Sequence, residues 1–93
     1  MKNITNKRKY SKELDGRLNT VGKNINLKRS ELKLSRQKLS DKLMLLGIDI
    51  STQSIYDIEV GKRTVLDYEL CALAKVLNTS ADELLNSFKK KLD

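Results

Sequence analysis

Histidine, proline and tryptophan are absent from this chain of 93 residues, and cysteine and phenylalanine each occur once. Without histidine, the sequence cannot form a Ser-His or Cys-His catalytic pair or a zinc site with histidine ligands. Cys71 has no partner for a disulfide within the chain, and an unpaired thiol is typical of reducing compartments, so we expect a cytoplasmic protein. These absences argue against an enzyme, and we expect neither a metal nor any other cofactor.

Long apolar runs are also absent. No stretch approaches the roughly 18 apolar residues that a membrane span needs, and no signal-peptide core follows the basic start. At this length the chain forms one domain at most, because a domain usually takes about 100–200 residues. We therefore expect a small soluble protein without a membrane partner.

The charge is positive and unevenly distributed. The net charge is +7, from 19 basic and 12 acidic side chains. Residues 1–42 hold thirteen basic and four acidic side chains, whereas residues 43–93 hold six basic and eight acidic ones. A basic segment next to a mildly acidic one favours a polyanionic partner, nucleic acid first of all. The alternative is a solvated, lysine-rich surface, and charge alone does not decide between the two.

The chain divides into a polar segment and a helical one. Residues 1–20 have few apolar side chains and no sustained period, which predicts a flexible basic N-terminal arm. From residue 21 to 93, apolar side chains recur at helical spacing, without a strand pattern, and predict an all-α domain of five short helices. The first helix has its inward positions at Val21, Ile25, Lys28 and Leu32.

Residues that can cap helices mark the predicted boundaries. Gly47 and Asn78 suit the left-handed backbone conformation that follows a helix. Cys71 lies beside an apolar stripe and is predicted to be a small, partly buried residue. Side chains that accept hydrogen bonds from the free amides of a first turn predict the starts of four helices at Ser35, Ser51 or Thr52, Asp67 and Ser80.

The most specific stretch covers residues 34–63 and reads LSRQKLSDKLMLLGIDISTQSIYDIEVGKR. It resembles the helix-turn-helix of the phage repressor/Cro type, or XRE family, whose pattern is approximately L-S-Q-x-x-L-A-x-x-L, a turn, then S-x-x-[ST]-I-x-x-I-E-x-G-K-R. The downstream stretch DYELCALAKVLNTSADELL, residues 67–85, resembles the last two helices of that family. The resemblance implies a compact five-helix bundle of the lambda-repressor-like helix-turn-helix type.

The resemblance also implies a DNA interface. In this family the exposed face of the third helix enters the major groove of double-stranded DNA, and its first residues contact base edges. The positions of this chain implied to contact bases are Thr52, Gln53, Tyr56 and Asp57. The positions implied to contact phosphates, or to support those contacts at helix N-termini, are Ser35, Arg36, Ser51, Ser54, Lys62 and Arg63.

Individual side chains refine this interpretation. Gln53 can pair with N6 and N7 of adenine, whereas the carboxylate of Asp57 can accept from cytosine N4 but repels phosphates. Arg36 stands where the family usually has glutamine, and its charge favours a phosphate contact. The exposed face of the third helix is predicted to carry no positive charge. Glu59 is expected to anchor the end of the third helix.

The sequence therefore predicts a DNA-binding transcriptional regulator of a bacterium or its mobile elements, acting as a repressor by promoter occupancy near the nucleoid. We expect no small-molecule effector, because no ligand domain follows the motif. A homodimer through the fifth helix is expected, with Leu85, Phe88 and Leu92 on one face. The alternative is an antitoxin or another protein–protein interaction module that uses the same fold.

Overall fold

The computed structural model describes residues 16–92 and places five helices there, which confirms the predicted all-α fold. They are α1 (Gly22–Glu31), α2 (Arg36–Leu45), α3 (Thr52–Glu59), α4 (Asp67–Val76) and α5 (Ala81–Lys91). Helix α3 packs against α2 and α1, α2 also packs against α4, and α5 packs against α4 and α1. The predicted arm lies outside the described residues, apart from its last five positions.

Local hydrogen bonds explain three of the predicted helix starts. The hydroxyls of Ser35, Ser51 and Ser80 accept from backbone N–H groups three residues later, at Lys38, Ser54 and Glu83. These bonds satisfy amides that have no partner within the first turn. Of the two cap residues considered for α3, Ser51 is therefore the cap. Gly47 and Asn78 adopt the predicted positive φ angles of 81° and 57°.

The predicted start of α4 is wrong. The N-cap is Leu66, and Asp67 is the first residue of the helix. The backbone N–H of Leu66 donates to Glu69 Oε1 at 3.0 Å, so a glutamate in the first turn caps the helix. A glutamate at this position reaches back to the N-cap amide as it does in a capping box, and this removes the need for a capping aspartate.

Within residues 16–92, one apolar core joins the helices. Leu39 and Leu43 of α2 and Ile55 and Ile58 of α3 are buried, as predicted. The hydroxyl of Ser40 in α2 donates to the carbonyl of Ile50, just before α3, at 2.7 Å. The buried apolar residues are Val21, Ile25, Leu39, Leu43, Ile50, Ile55, Ile58, Ala72, Leu73, Ala74, Leu77 and Leu84.

Two predicted burials are wrong. Leu32 is 43% exposed, because α1 ends at Glu31 and Lys33 follows with a φ of 57°, so the chain leaves the helical period there. Cys71 is exposed rather than partly buried, since α4 turns the positions next to it in the helix, Ala72 and Leu73, towards the core.

The segment before α1 packs against the end of α3. Asn19 is buried, and its Nδ2 donates to the carbonyls of Ile58 at 2.9 Å and Arg63 at 2.8 Å. Its Oδ1 accepts from the backbone N–H of Gly22 at 2.8 Å. The prediction that residues 17–20 belong to a flexible arm is therefore wrong, because the buried amide of Asn19 joins this segment to the helical domain through three hydrogen bonds.

Candidate nucleic-acid interface

Helix α3 has one buried face and one polar face. Ile55, Ile58 and Glu59 are buried, whereas Gln53 and Tyr56 are exposed and Thr52 is partly exposed. The spacing of these residues follows the helical period, so burying the isoleucines turns the polar side chains outwards. The structure thus brings the four predicted base-contacting residues, Asp57 included, onto one helix of eight residues.

Helix α2 starts close to the polar face of α3, and a hydrogen bond joins the two. Thr52 Oγ1 donates to Gln37 Oε1 at 3.0 Å, and Gln37 Nε2 donates to Asp41 Oδ1 at 2.9 Å. Within α3, Gln53 Nε2 donates to Asp57 Oδ1 at 3.0 Å. Gln37 was not among the predicted site residues. No local signal could have identified it, because its partner Thr52 lies fifteen residues away in the sequence.

A buried carboxylate fixes α3 to the two preceding helices. Glu59 Oε1 accepts from Asn26 Nδ2 and from Arg36 Nε, both at 2.9 Å, and from Arg29 Nη2 at 3.1 Å. Its Oε2 accepts from Arg29 Nε at 2.6 Å. Burial alone raises the pKa of this carboxyl group, but the hydrogen bonds from Arg29, Asn26 and Arg36 outweigh it, and the pKa of Glu59 lies below its usual value.

Arg36 connects this buried carboxylate to the surface. Its side chain is about one-third exposed, and its guanidinium carbon lies 5.1 Å from the centroid of the Tyr56 ring. A cation in this position is attracted to the ring face. As predicted, no residue of α3 itself carries a positive charge, but α2 supplies a guanidinium beside Tyr56. The predicted phosphate contact of Arg36 remains a prediction.

The connector after α3 holds the other predicted basic pair. Lys62 is exposed, whereas Arg63 forms a forked ion pair with Glu69, with Nη1 to Oε1 at 2.9 Å and Nη2 to Oε2 at 3.0 Å. The hydrogen bonds raise the pKa of Arg63 and lower that of Glu69. The charge of Arg63 is thus balanced inside the protein, and Lys62 is the more accessible cation of the two.

The three predicted serines occupy the N-termini of the same two helices. Ser35 and Ser51 use their oxygens as helix caps at 3.0 and 3.1 Å, and Ser54 donates its backbone N–H to Ser51. The first turns of α2 and α3 therefore present backbone N–H groups and hydroxyls together, a combination that attracts phosphate oxygens. The phosphate contacts of these serines remain predictions.

Two further properties of residues 16–92 bear on function. None of their helices combines the length and the apolar character of a membrane span. Their cysteine and carboxylate side chains form no group of three or more that could hold a metal ion.

A helix-turn-helix family model matches residues 25–84, which extend from α1 to the first turn of α5 and include every element of the site described above. No curated protein and no solved structure matches the chain. The matched segment covers well over half of the sequence and contains the α2–turn–α3 unit with its capping serines and buried isoleucines. The chain therefore belongs to the helix-turn-helix family of the phage repressor, or XRE, type, a family of DNA-binding transcription regulators.

Proposed function

We propose that this protein is a sequence-specific repressor that inserts α3 into the major groove of double-stranded DNA and blocks an overlapping promoter by occupancy. The observation that carries the proposal is the polar face of α3, which lies beside the N-terminus of α2 while the opposite face is held in the core. A major groove of about 12 Å admits one helix, so a rigidly held helix with exposed amide, hydroxyl and phenol groups suits base reading. We propose that the repressor acts in the cytoplasm of a bacterium, at the nucleoid.

In this proposal, contacts divide into two kinds. Thr52, Gln53, Tyr56 and Asp57 meet base edges. Phosphate contacts come from side chains and helix N-termini around them, and these position the protein without reading sequence. The residues proposed to make phosphate contacts are Ser35, Arg36, Ser51, Ser54, Lys62 and Arg63. Because Arg36 and Arg63 are paired with Glu59 and Glu69, their contacts require either spare N–H groups or an exchange of partners.

Gln53→Ala tests base reading. We expect it to weaken binding to the selected duplex by about 1–3 kcal/mol and to relax the preference at one base pair, because the carboxamide forms a hydrogen bond with the edge of one base. The measurement is a selection of bound duplexes from random DNA, followed by titration of the best duplex and a scrambled one. Equal losses on both duplexes would show that Gln53 does not read a base.

Arg36→Ala is the comparison variant in the same titrations. Loss of a phosphate contact weakens selected and scrambled duplexes alike, and makes the slope of log K against log salt shallower by about one unit. Arg29 still pairs with Glu59 in this variant, so we expect the fold to be kept. The melting temperature checks this. An unchanged slope would remove Arg36 from the phosphate contacts.

A second candidate function has its own structural support. The C-terminal end of α2 exposes three consecutive apolar side chains: Met44 is 52%, Leu45 86% and the C-cap Leu46 43% exposed. A contiguous exposed apolar patch is typical of a protein–protein contact. This patch favours an antitoxin or another interaction module in which the domain meets a protein rather than DNA. Failure of the random-DNA selection to enrich any duplex would favour this candidate.

The proposal includes a homodimer on DNA, formed through α5. Leu84 is fully buried in the monomer, Leu85 and Phe88 are partly buried, and Leu92 is 71% exposed. Asn24 Nδ2 donates to the carbonyl of Leu84 at 3.0 Å, so the first turn of α5 is tied to α1 while its last turn is left accessible. A two-fold symmetric contact needs a surface of this kind that can meet its own copy.

Phe88→Ala tests this interface. It should abolish cooperative occupancy of a palindrome whose half-sites are about one DNA turn apart, while affinity for a single half-site is retained. Gel-shift titrations of one-site and two-site duplexes measure both quantities. Leu27→Ala, at a 53% exposed residue of α1, is the matched control and should remain cooperative. Cooperativity that survives Phe88→Ala would place the dimer contact elsewhere.

A further inference from the structure

Side-chain hydrogen bonds within the protein already use donor groups of the predicted base-contacting residues. Thr52 donates to Gln37, Gln37 donates to Asp41, and Gln53 donates to Asp57, over distances of 2.9 to 3.0 Å. A hydroxyl has a single proton, so Thr52 keeps none for a base, and the amide of Gln53 keeps one of its two N–H groups. The side chains of α3 are therefore poorer in donors than their residue types imply.

The two aspartates set the direction of these bonds. An ionised carboxylate only accepts hydrogen bonds, so Asp57 binds the NH₂ group of the Gln53 amide. The other end of that amide, Gln53 Oε1, therefore points away from Asp57. In the same way Asp41 takes the NH₂ end of Gln37, which leaves Gln37 Oε1 as an acceptor for the hydroxyl of Thr52. Neither amide can reverse without placing a carbonyl oxygen against a carboxylate.

Apart from one N–H group of Gln53, the hydrogen-bonding groups that remain on Thr52, Gln53 and Asp57 are acceptors, and we call these three residues the acceptor face. Its acceptors are the lone pairs of the Thr52 hydroxyl, Gln53 Oε1 and the second oxygen of Asp57. In the major groove, the matching donors are the amino groups N6 of adenine and N4 of cytosine. Guanine offers only the acceptors N7 and O6 there, and thymine offers O4 and a methyl group.

We infer that the acceptor face recognises operator DNA through the exocyclic amino groups of adenine and cytosine, with Gln37, Asp41 and Asp57 as the residues that position its acceptors. The inference rests on the proposed function and names the chemistry of its ligand. Gln37 and Asp41 act from α2 without needing to touch DNA, because they determine where the proton of Thr52 points. The negative charge of Asp57 adds to the rejection of an acceptor-only base edge.

Arg36 is the alternative residue for base recognition, since arginine commonly contacts guanine O6 and N7. Its Nε is bound to Glu59 at 2.9 Å, and its guanidinium lies over the ring of Tyr56. These contacts hold it at the start of α2, beside the acceptor face rather than on it. Arg36→Ala therefore separates an arginine contact with guanine from recognition by the acceptor face.

The test removes single atoms from the best duplex of the random-DNA selection. Purine in place of adenine, or 2-pyrimidinone in place of cytosine, removes an amino group, whereas 7-deazapurines remove only N7. For the wild-type chain, deletion of the amino group at a contacted position should weaken binding about tenfold or more, and deletion of N7 should weaken it less. Asp57→Asn supplies a new donor and should make binding sensitive to N7, whereas Asp49→Asn, an exposed carboxylate of the α2–α3 turn, should not.

The free protein provides a second measurement. Asp57→Ala should shift the side-chain amide resonances of Gln53, and Asp41→Ala those of Gln37, with Asp49→Ala as the unshifted control. Binding that tolerates every amino-group deletion but is lost with 7-deazaguanine would overturn the inference and leave the proposed function standing. Loss of that N7 sensitivity in Arg36→Ala would then identify arginine as the reader. A chain that enriches no duplex overturns the proposed function itself.

Discussion

Glu59→Gln is expected to lower the free energy of unfolding by about 3–5 kcal/mol, because removal of one partner from a buried ion pair leaves the other charge uncompensated. Glu59 is 5% exposed, and its carboxylate receives hydrogen bonds from Asn26, Arg29 and Arg36. Glutamine keeps the shape but replaces one acceptor oxygen with an NH₂ group that faces arginine donors. Urea denaturation of both proteins at neutral pH measures the difference.

A matched control comes from an ion pair at the surface. Lys28 and Glu31 lie 3.9 Å apart on α1, and the side chain of Glu31 is 57% exposed. Exposed pairs of this kind contribute roughly 0–1 kcal/mol, so Glu31→Gln should leave the unfolding curve nearly unchanged. A loss below about 1 kcal/mol for Glu59→Gln itself would contradict a central role for the buried carboxylate.

The same carboxylate makes stability depend on pH in a defined direction. The pKa of Glu59 is lower in the folded protein than its usual value of 4.5, so the unfolded chain binds the proton more readily. The stabilisation is therefore complete above the unfolded pKa and is lost as pH falls through the folded one. The pKa of Glu69 is lowered as well, so Glu59→Gln should reduce the acid sensitivity without removing it.

The predictions that the structure confirms depend on neighbours in the sequence. Ser35, Ser51 and Ser80 cap helices through amides three residues away, and Asn78 ends α4 through its own backbone angle. Helical periodicity in the same way assigns Leu39, Leu43, Ile55 and Ile58 to the core. Where two nearby carboxylates could cap the same helix, the prediction failed: Glu69 rather than Asp67 caps α4.

Contacts between distant segments could not be predicted. Arg36 meets Glu59 across 23 positions, and Asn19 meets the carbonyls of Ile58 and Arg63 across 39 and 44. Arg63 matches the family motif and Arg36 departs from it, and both were predicted to contact phosphates. The carboxylate that each one pairs with depends on long-range packing. The chemistry of the candidate site is therefore set by intramolecular partners: carboxylates balance two predicted phosphate contacts and orient two predicted base contacts.

Gly22→Ala is expected to destabilise the protein by roughly 2–4 kcal/mol, although alanine favours a helix over glycine by about 1 kcal/mol. Gly22 is the first residue of α1, and a Cβ added there would collide with the carbonyl oxygen of Ile58 and with Arg17 Nη2, and would press on Asn19 Oδ1. Overpacking against backbone forces a shift that typically costs about 1–3 kcal/mol, and the hydrogen bonds of Asn19 would loosen with it.

The effect of this substitution should reach the DNA-facing surface. The carbonyl of Ile58 belongs to the last turn of α3, so a shift of α1 away from it changes how α3 is held over the core. We expect weaker binding of the selected duplex as well as a lower melting temperature. Lys23→Ala, at the next and exposed position of α1, changes helix propensity without the collision and should be neutral or slightly stabilising. Equal melting temperatures for the two variants would show that α1 does not need glycine at this contact.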